Sequence, residues 1–406
     1  MAHARTLAAL FVCLFAGAAI AQPAIQPAIQ PTTRPAEAAR HEPDAAPAPR
    51  NGHIVVSTRA DGSIVLIDPA TFRVSHRDLA PVGLHEIAAS SDGRLVVGSA
   101  YGSGPRHQTP DQRLLVITLP DLDPRTDDAP SIGPLINLGD ANARPNDLAF
   151  LPGDTRVVCT SEMARTLLIL DIEAALNAAP DPDTLEVGPD AIATTIPIRT
   201  RAGHMLAITP DGSRAFVPSV SDRTVTTVDL ATGQVLATTV AADGAEGVAA
   251  SPDASTVWVA CHRAETLAII DAATGQRTHT LDCPGYPFRV RFTPDATRVV
   301  VSCPGDNRVR IFDAATRVLA HTIDVGQGTL PTSVAVSPDG AFAAVVCASA
   351  DAVSVIDLAE GRVLSRVQVG AIPDGLAWAP APPNIEPATE PRPEPPGVPT
   401  AEAPAP

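Results

Sequence analysis

The chain of 406 residues predicts an all-β fold, a seven-bladed β-propeller of four-stranded blades. Three observations support this prediction. A short turn motif recurs with a period near 42 residues, which is the length of one four-stranded blade. Strand-like segments flank each copy of the motif in the same order. The two ends of the repeat region each hold only part of a blade, so we expect them to complete one blade together.

The repeated turn has the pattern Ser/Thr-Pro-Asp-Gly, with variations. Proline fixes one backbone dihedral and glycine accepts a positive φ, so the motif suits a tight turn. Its second residue stands at positions 91, 152, 210, 252, 294, 338 and 380, which are 61, 58, 42, 42, 44 and 42 residues apart. The two long intervals predict insertions rather than extra blades. We expect the insertion at 101–112 to overhang the channel mouth, and those near 120–136 and 172–191 to lie on the opposite face.

Each unit contains four predicted strands. In the unit around position 252, an apolar strand at 248–250 precedes the turn and a β-branched strand at 256–259 follows it. A third, alternating strand at 267–271 ends in aspartate, and a fourth follows a Thr-Gly pair. The aspartate side chain can accept N–H groups of the next turn, so we interpret this column as structural. Its members are Asp68, Asp171, Asp229, Asp271, Asp313 and Asp357.

The ring closes between the two termini. The last turn, at Pro380, has only an inner strand before it, at 375–378. Its three missing partners lie at 54–57, 64–68 and 73–76. A blade built from both ends leaves no open sheet edge. The propeller is therefore predicted to occupy residues 52–380 as one domain.

Outside the propeller, the sequence predicts three further segments. Residues 1–21 resemble a secretory signal peptide, because an apolar run at 7–20 is too short to span a bilayer and ends in Ala-Ile-Ala. We therefore expect export to the periplasm or the cell exterior, with a short anchor helix as the alternative. Residues 22–51 and 381–406 are rich in proline and alanine, which predicts a disordered linker and tail. We expect these ends to be spacers, with a proline-rich docking segment or a stalk that crosses the cell wall as the alternatives. No other stretch is long and apolar enough to span a membrane.

The composition excludes several function classes. All 29 basic residues are arginine, which excludes Schiff-base chemistry and a P-loop lysine. The 45 acidic residues give a net charge of −16, which disfavours binding to nucleic acid. Covalent haem is excluded because Cys-x-x-Cys-His is absent.

The cysteines do not form an evident disulfide framework. Three of them occupy one repeat column of small residues, which we interpret as packing positions; the column is Thr58, Ala100, Ser161, Ser219, Cys261, Cys303 and Cys347. Equivalent positions in neighbouring blades are expected to be too far apart for a disulfide. Cys283, in the loop entering the fifth blade, could approach Cys261 or Cys303 and form one disulfide.

The repeat resembles a known family. The segment Glu-Gly-Val-Ala-Ala-Ser-Pro-Asp at 246–253 and the segment Val-Ser-Val-Ile-Asp at 353–357 are similar to those of YVTN-repeat β-propellers, including exported YncE-like proteins. The resemblance covers 52–380. It departs at the strand ends, where Val-Ala-Cys, Val-Ser-Cys and Val-Val-Cys replace Tyr-Val-Thr-Asn. Related propellers include lactonases, so function has to be argued from the site.

The candidate site is a polar ring at the channel mouth. Inner strands line the channel, and their first residues open onto one face. The residue six before each turn position gives one column, which is His85, Asn146, His204, Glu246, Phe288, Thr332 and Asp374. The next column adds Glu86, Asp147 and Arg289. Loops on this face contribute Arg106, His107, Arg144, Glu162, Arg165, Arg201, His262 and Arg263. A solvated ring without a ligand is the alternative, because channel mouths are wet.

Two functions compete for this ring. The first is a non-enzymatic binding module that takes a protein, a polymer or a small anionic ligand at His85, Glu86, Asn146, Asp147, His204, Glu246, Arg289 and Asp374. Arg289 is predicted to hold a carboxylate or phosphate through two hydrogen bonds. We expect such a protein to be monomeric. The second is a lactonase-like hydrolase, for which no catalytic residue is assigned. Resemblance to gluconolactonase-type propellers implies a divalent metal, with Asn146, Glu246 and Asp374 as weak candidate ligands.

Overall fold

A computed structural model describes residues 52–103, 109–120, 129–198, 200–201 and 203–381. The predicted signal peptide and linker, and the tail beyond residue 381, lie outside the described residues. So does the centre of the insertion at 101–112, with Arg106 and His107.

The described strands form seven sheets arranged as the seven predicted blades. Blade 1 is β4 (Ile87–Ala89), β5 (Leu95–Ser103), β6 (Thr109–Thr118) and β7 (Ser131–Asn137); blade 2 is β8 (Pro145–Phe150), β9 (Arg156–Ser161), β10 (Thr166–Asp171) and β12 (Ile192–Pro197); blade 3 is β13 (Ala207–Ile208), β14 (Arg214–Ser219), β15 (Thr224–Asp229) and β16 (Val235–Val240); blade 4 is β17 (Ala245–Ala250), β18 (Thr256–Cys261), β19 (Thr266–Asp271) and β20 (Arg277–Asp282). Blade 5 is β21 (Val290–Phe292), β22 (Arg298–Cys303), β23 (Arg308–Asp313) and β24 (Leu319–Asp324); blade 6 is β25 (Pro331–Val336), β26 (Phe342–Cys347), β27 (Ala352–Asp357) and β28 (Arg362–Gln368); blade 7 is β29 (Pro373–Ala379), β1 (His53–Thr58), β2 (Ser63–Asp68) and β3 (Arg73–Leu79).

Blade 7 closes the ring as predicted. Its C-terminal inner strand β29 pairs antiparallel with the N-terminal β1, with Trp378 opposite Ile54 and Leu376 opposite Val56. Strands β2 and β3 complete the sheet. The pairing of the two ends of the chain therefore completes the four-stranded sheet and closes the ring.

The repeated turns have the predicted geometry. Their fourth residue lies in the left-handed region whether or not it is glycine, with φ of 70° at Gly93, 57° at Ala254 and 70° at Gly340. The aspartates that end the third strands accept backbone N–H groups, as Asp229 Oδ1 does from Thr232 at 2.8 Å and Asp271 Oδ1 from Thr274 at 2.7 Å. The fourth residues of the turns and the aspartates that end the third strands therefore both have structural roles.

The hydrophobic core is divided among the blade interfaces. Buried side chains form seven clusters, and each cluster joins two neighbouring blades. Trp258, for example, packs between blades 4 and 5 against Phe292 and Phe312. Because the apolar residues point between blades, the ends of the inner strands are free to carry polar groups.

The long intervals hold insertions, as predicted. The second interval contains the helix α1 (Ile172–Asn177), the short strand β11 (Glu186–Val187), which pairs parallel with β7, and the 3₁₀ helix Pro189–Ala191. Two further 3₁₀ helices are Asp140–Asn142 and Ala348–Ala350. Within the described residues, no helix has the length and apolar character needed to cross a bilayer.

Candidate functional site at the channel mouth

The first residues of the inner strands surround a cavity of about 450 Å³, the channel-mouth cavity. Six of the eight predicted site residues line it, namely His85, Asn146, His204, Glu246, Arg289 and Asp374. They converge because each lies at or just before the start of an inner strand.

Glu86 and Asp147, the other two, are buried behind the lining and pair with neighbours. Arg289 Nη2 donates to Glu86 Oε1 at 2.5 Å, and the two side chains are only 4% and 5% exposed. Arg289 Nη1 lies 3.7 Å from Glu246 Oε1. A buried guanidinium needs such partners, because burial without them would cost several kcal/mol. Burial disfavours the charged form of Arg289, but Glu86 and Glu246 outweigh it and raise its pKa.

Asp147 joins two blades. Its Oδ2 accepts from the backbone N–H of Leu206 in the next blade at 2.9 Å, and its Oδ1 accepts from Leu148 at 2.9 Å. Burial and the nearby carboxylate of Glu86 raise the pKa of Asp147 to about 6. The geometry gives Asp147 a structural role and keeps it away from the cavity.

Glu246 is held ionised at the cavity wall. Its Oε2 lies 3.1 Å from Nδ1 of His262, whose ring stacks on Tyr286 with centroids 4.4 Å apart. Burial alone would raise the pKa of Glu246, but His262 and the charge of Arg289 lower it to about 2. The carboxylate is therefore charged at neutral pH.

Asp374 orients His85 across the seam where blade 7 meets blade 1. Its Oδ2 lies 2.5 Å from His85 Nδ1 and 3.3 Å from Arg59 Nη1. Burial opposes ionisation of Asp374, but His85 and Arg59 lower its pKa to about 2. A histidine held by a carboxylate is the arrangement of a general base.

A third cluster lies where blades 1, 2 and 3 meet. The Tyr101 hydroxyl donates to Glu162 Oε2, and His204 Nε2 lies 3.1 Å from Glu162 Oε1. Arg144 Nη1 is 3.9 Å from the same carboxylate. Burial opposes ionisation of Glu162, but His204 and Tyr101 lower its pKa to about 2. Burial alone would lower the pKa of His204, but Glu162 raises it.

Four polar side chains of the cavity carry buried atoms without a hydrogen-bond partner among the described residues. They are Oδ1 of Asn146, Nε and Nη1 of Arg289, Oγ1 of Thr332, and Nε2 of His204, which still has the carboxylate of Glu162 beside it. An unpaired buried polar group costs about 1–3 kcal/mol, so atoms of this kind call for water or a ligand. Of the three guanidinium nitrogens of Arg289, Nη2 donates to Glu86 and Nη1 lies 3.7 Å from Glu246 Oε1, whereas Nε has no partner among the described residues.

Apolar side chains also line the cavity. They are Met205, Phe288, Leu330, Ile372 and Pro373. The guanidinium carbon of Arg289 lies 4.2 Å from the centroid of the Phe288 ring. The cavity therefore offers both polar contacts and hydrophobic surface, which is typical of small-molecule sites.

Comparison with known proteins identifies the family. A family model described as YNCE-like beta-propeller matches residues 174–377. The chain belongs to the YNCE-like beta-propeller family. No curated protein matches it.

Two solved structures are similar in fold to this YNCE-like propeller. A functionally unknown protein from Desulfotomaculum acetoxidans DSM 771 has a TM-score of 0.63 at 15% identity and covers 81% of this chain and 99% of its own. The hydrazine synthase of Kuenenia stuttgartiensis has a TM-score of 0.58 at 15% identity and covers 75% of this chain and 92% of its own. At this identity the similarity shows the fold alone.

Two of the three weak metal candidates of this YNCE-like chain are paired with other side chains. Glu246 is paired with Arg289 and His262, and Asp374 with Arg59 and His85. Within the described ranges, no three His, Cys, Asp or Glu side chains group as a metal site. Cations beside both carboxylates would oppose a divalent ion electrostatically.

A repeat column that sequence reasoning did not use supplies the partners of the lining residues. It follows the column of small residues and reads Arg59, Tyr101, Glu162, Val220, His262, Pro304 and Ala348. The contributions of Arg59, Tyr101 and Tyr286 were missed, whereas Glu162 and His262 were predicted only as loop residues. Reading this column beside the inner-strand column would have found four of the pairing residues. Arg263, also predicted on this face, instead lies 3.7 Å from Asp243.

Proposed function

We propose that this YNCE-like propeller is an exported, non-enzymatic binding protein that holds a small hydroxy or amino acid in the channel-mouth cavity. One observation carries the proposal, namely a cavity of about 450 Å³ whose lining combines apolar side chains with polar side chains that carry unpaired buried atoms. A cavity of this size suits a small molecule better than a folded partner. Export rests on the apolar N-terminal run and its Ala-Ile-Ala end.

The unpaired atoms define what the ligand has to offer. Nε and Nη1 of Arg289 need acceptors, and a carboxylate supplies two. Oδ1 of Asn146 needs a donor, which a hydroxyl or ammonium group provides. The hydroxyl of Thr332 can donate to an acceptor of the ligand or accept from a donor of the ligand. A carboxylate and a donor on one small skeleton, with carbon atoms against Phe288 and Leu330, match both the polar and the apolar lining of the cavity.

The charges around the cavity favour a rigid site. Glu246, Asp374 and Glu162 each have basic partners within the protein. Side chains fixed in this way lose little further freedom when a ligand binds, which preserves affinity.

Calorimetric titration with a defined set of probes tests this proposal. The probes are 2-hydroxy acids and α-amino acids of increasing side-chain size, with alkylamines and neutral polyols as compounds that lack the carboxylate. We expect at least one acid to bind at a single site and the other two classes to fail. The proposal is wrong if no acid binds the folded protein.

A matched pair of variants locates that binding. Thr332→Val removes a cavity hydroxyl without changing side-chain shape, and should weaken binding about 3- to 10-fold. Thr227→Val is the control, because Oγ1 of Thr227 is equally buried and unpaired but does not line the cavity. Equal affinities of the two variants would show that the ligand binds elsewhere on the propeller.

A lactonase-like hydrolase is the second candidate, and the 2.5 Å contact between His85 and Asp374 favours it. In that case His85 would activate water at the cavity, and Arg289 would stabilise the oxyanion formed at a lactone carbonyl. The product would be a hydroxy acid. Lactone hydrolysis that disappears in His85→Ala, while hydroxy-acid binding persists, would establish the hydrolase; no turnover by the wild-type protein would leave the binding function alone.

A further inference from the structure

Two cysteines outside the cavity bring their sulfur atoms into contact. Sγ of Cys283 and Sγ of Cys303 are 3.9 Å apart, and both residues are fully buried. Cys283 follows β20 in the loop that enters blade 5, and Cys303 ends β22 within that blade. The pair therefore joins the end of blade 4 to the interior of blade 5.

The backbone, and not only the side chains, sets this contact. The Cys283 N–H donates to Glu265 O at 2.8 Å, and the Gly305 N–H donates to Gly285 O at 2.9 Å. Gly285 has φ of 88°, and a Cβ there would lie 2.4 Å from the carboxyl group of Asp306. The two loops thus approach closely beside the sulfur atoms, in a conformation that favours glycine.

The other described cysteines have oxygen neighbours instead. Cys347 Sγ lies 3.3 Å from Ser354 Oγ, Cys261 Sγ lies 3.7 Å from Val259 O, and Cys159 Sγ lies 3.3 Å from Thr160 O. Cys261, the other partner considered for Cys283 from the sequence, packs in the cluster between blades 3 and 4. The geometry selects Cys303.

We propose that Cys283 and Cys303 form a disulfide when the chain folds in the presence of an oxidising disulfide, such as glutathione disulfide or a thiol oxidoreductase. One cysteine thiolate attacks the oxidant and expels its first thiolate, giving a mixed disulfide. The second cysteine thiolate attacks the protein sulfur of that bond and expels the second thiolate. Two protein thiols are oxidised, the oxidant is reduced to two thiols, and the two protons pass to the released thiolates.

The bond is expected to form during folding. The hydrogen bond with Cys303, together with burial, raises the pKa of Cys283 above its ordinary value, so the folded protein contains very little attacking thiolate. An oxidant also cannot reach sulfur atoms that are fully buried. Once formed, the bond is shielded from reductants by the same packing.

Refolding in glutathione buffer tests the proposal directly. Full-length protein is reduced and unfolded, refolded with oxidised and reduced glutathione, and then alkylated in denaturant. Peptide mass spectrometry should find the peptides of Cys283 and Cys303 joined, with a mass about 2 Da below the sum of the two reduced peptides. Recovery of both cysteines as alkylated thiols from correctly folded protein would overturn the proposal, as would a link to Cys261.

Thermal melting provides a second readout. A disulfide that closes the loop between Cys283 and Cys303 should raise the melting temperature of the oxidised protein by several degrees over that of the reduced form. Cys283→Ser should abolish that difference. Cys347→Ser is the matched control, since Cys347 occupies the same repeat column as Cys303 but lies beside Ser354 Oγ, and this variant should keep the difference. A difference that survives in Cys283→Ser would place the disulfide elsewhere.

Discussion

Arg289 is the residue on which the charge balance of the channel mouth depends. Its guanidinium is buried between Glu86 in blade 1 and Glu246 in blade 4. The repeat placed Arg289 in the mouth column correctly, but it could not show which carboxylate the guanidinium would face. That choice depends on side-chain rotamers and on the ring of Phe288 beneath it. The columns of the sequence repeat predict where a residue lies around the propeller axis. Which side chain it pairs with can be read only from the structure.

Arg289→Met should destabilise the protein strongly. It leaves the buried carboxylate of Glu86 without its cation, and loss of one partner from a buried ion pair costs about 3–5 kcal/mol. The free energy of unfolding from urea titration measures the change. Arg362→Gln is the control, because the Arg362–Glu360 pair is exposed and its loss should be barely measurable. Equal stability of Arg289→Met and wild type would contradict this role.

Asp374 should make stability depend on acid pH. Its pKa in the folded state is about 2, below the ordinary value of 3.8, so its ionised form stabilises the fold above pH 4. That contribution, about 2 kcal/mol, is lost as the pH falls from about 4 to 2. Urea titrations across this range should show a shallower pH dependence in Asp374→Asn. An unchanged slope would show that the carboxylate is not held by His85 and Arg59.

The element that recurs in every blade is the turn between the inner strand and the second strand. Its sequence signature predicted the seven blades, because proline, aspartate and a left-handed fourth residue act locally. Other local features have no such signature. Each blade has a register shift between its third and outer strands, and neither this bulge nor the contents of the second insertion was predicted. A bulge depends on strand twist and packing, which no single motif encodes.

Two opposite substitutions test the turn. Ala254 and Gly340 occupy equivalent fourth positions with φ of 57° and 70°. Ala254→Gly should raise the free energy of unfolding by about 0.5–1 kcal/mol, because glycine adopts this conformation without strain. Gly340→Ala should lower it by about 1 kcal/mol. The nearest atom to an added Cβ at Gly340 is 3.4 Å away, so strain and not collision is measured. Changes of the same sign would contradict the repeat equivalence.

At the scale of the whole molecule, stability comes from a closed circle of interfaces. Seven hydrophobic clusters link each blade to the next, and the pairing of β29 with β1 completes the circle. The sequence predicted this closure because the partial units at the two ends are complementary. The cavity was only partly predictable, since its volume and its apolar lining depend on loops such as those that carry Leu330 and Ile372.

Deletion of residues 52–76 should abolish cooperative folding. It removes β1, β2 and half of β3, and so takes away the partner of β29 and two interblade clusters. Circular dichroism melting should show no sharp transition. Deletion of residues 382–406, beyond the last blade, is the control and should melt like the full chain. A sharp transition in the first deletion would show that the ring does not need closure.

The most direct test of ligand binding is a crystal structure of the protein with the tightest-binding acid from the titrations. We expect density for the ligand in the channel-mouth cavity. Its carboxylate should lie within hydrogen-bond distance of Nε or Nη1 of Arg289, and its hydroxyl or ammonium group should lie close to Oδ1 of Asn146. A cavity that holds only water, with the acid bound at another surface, would contradict the account.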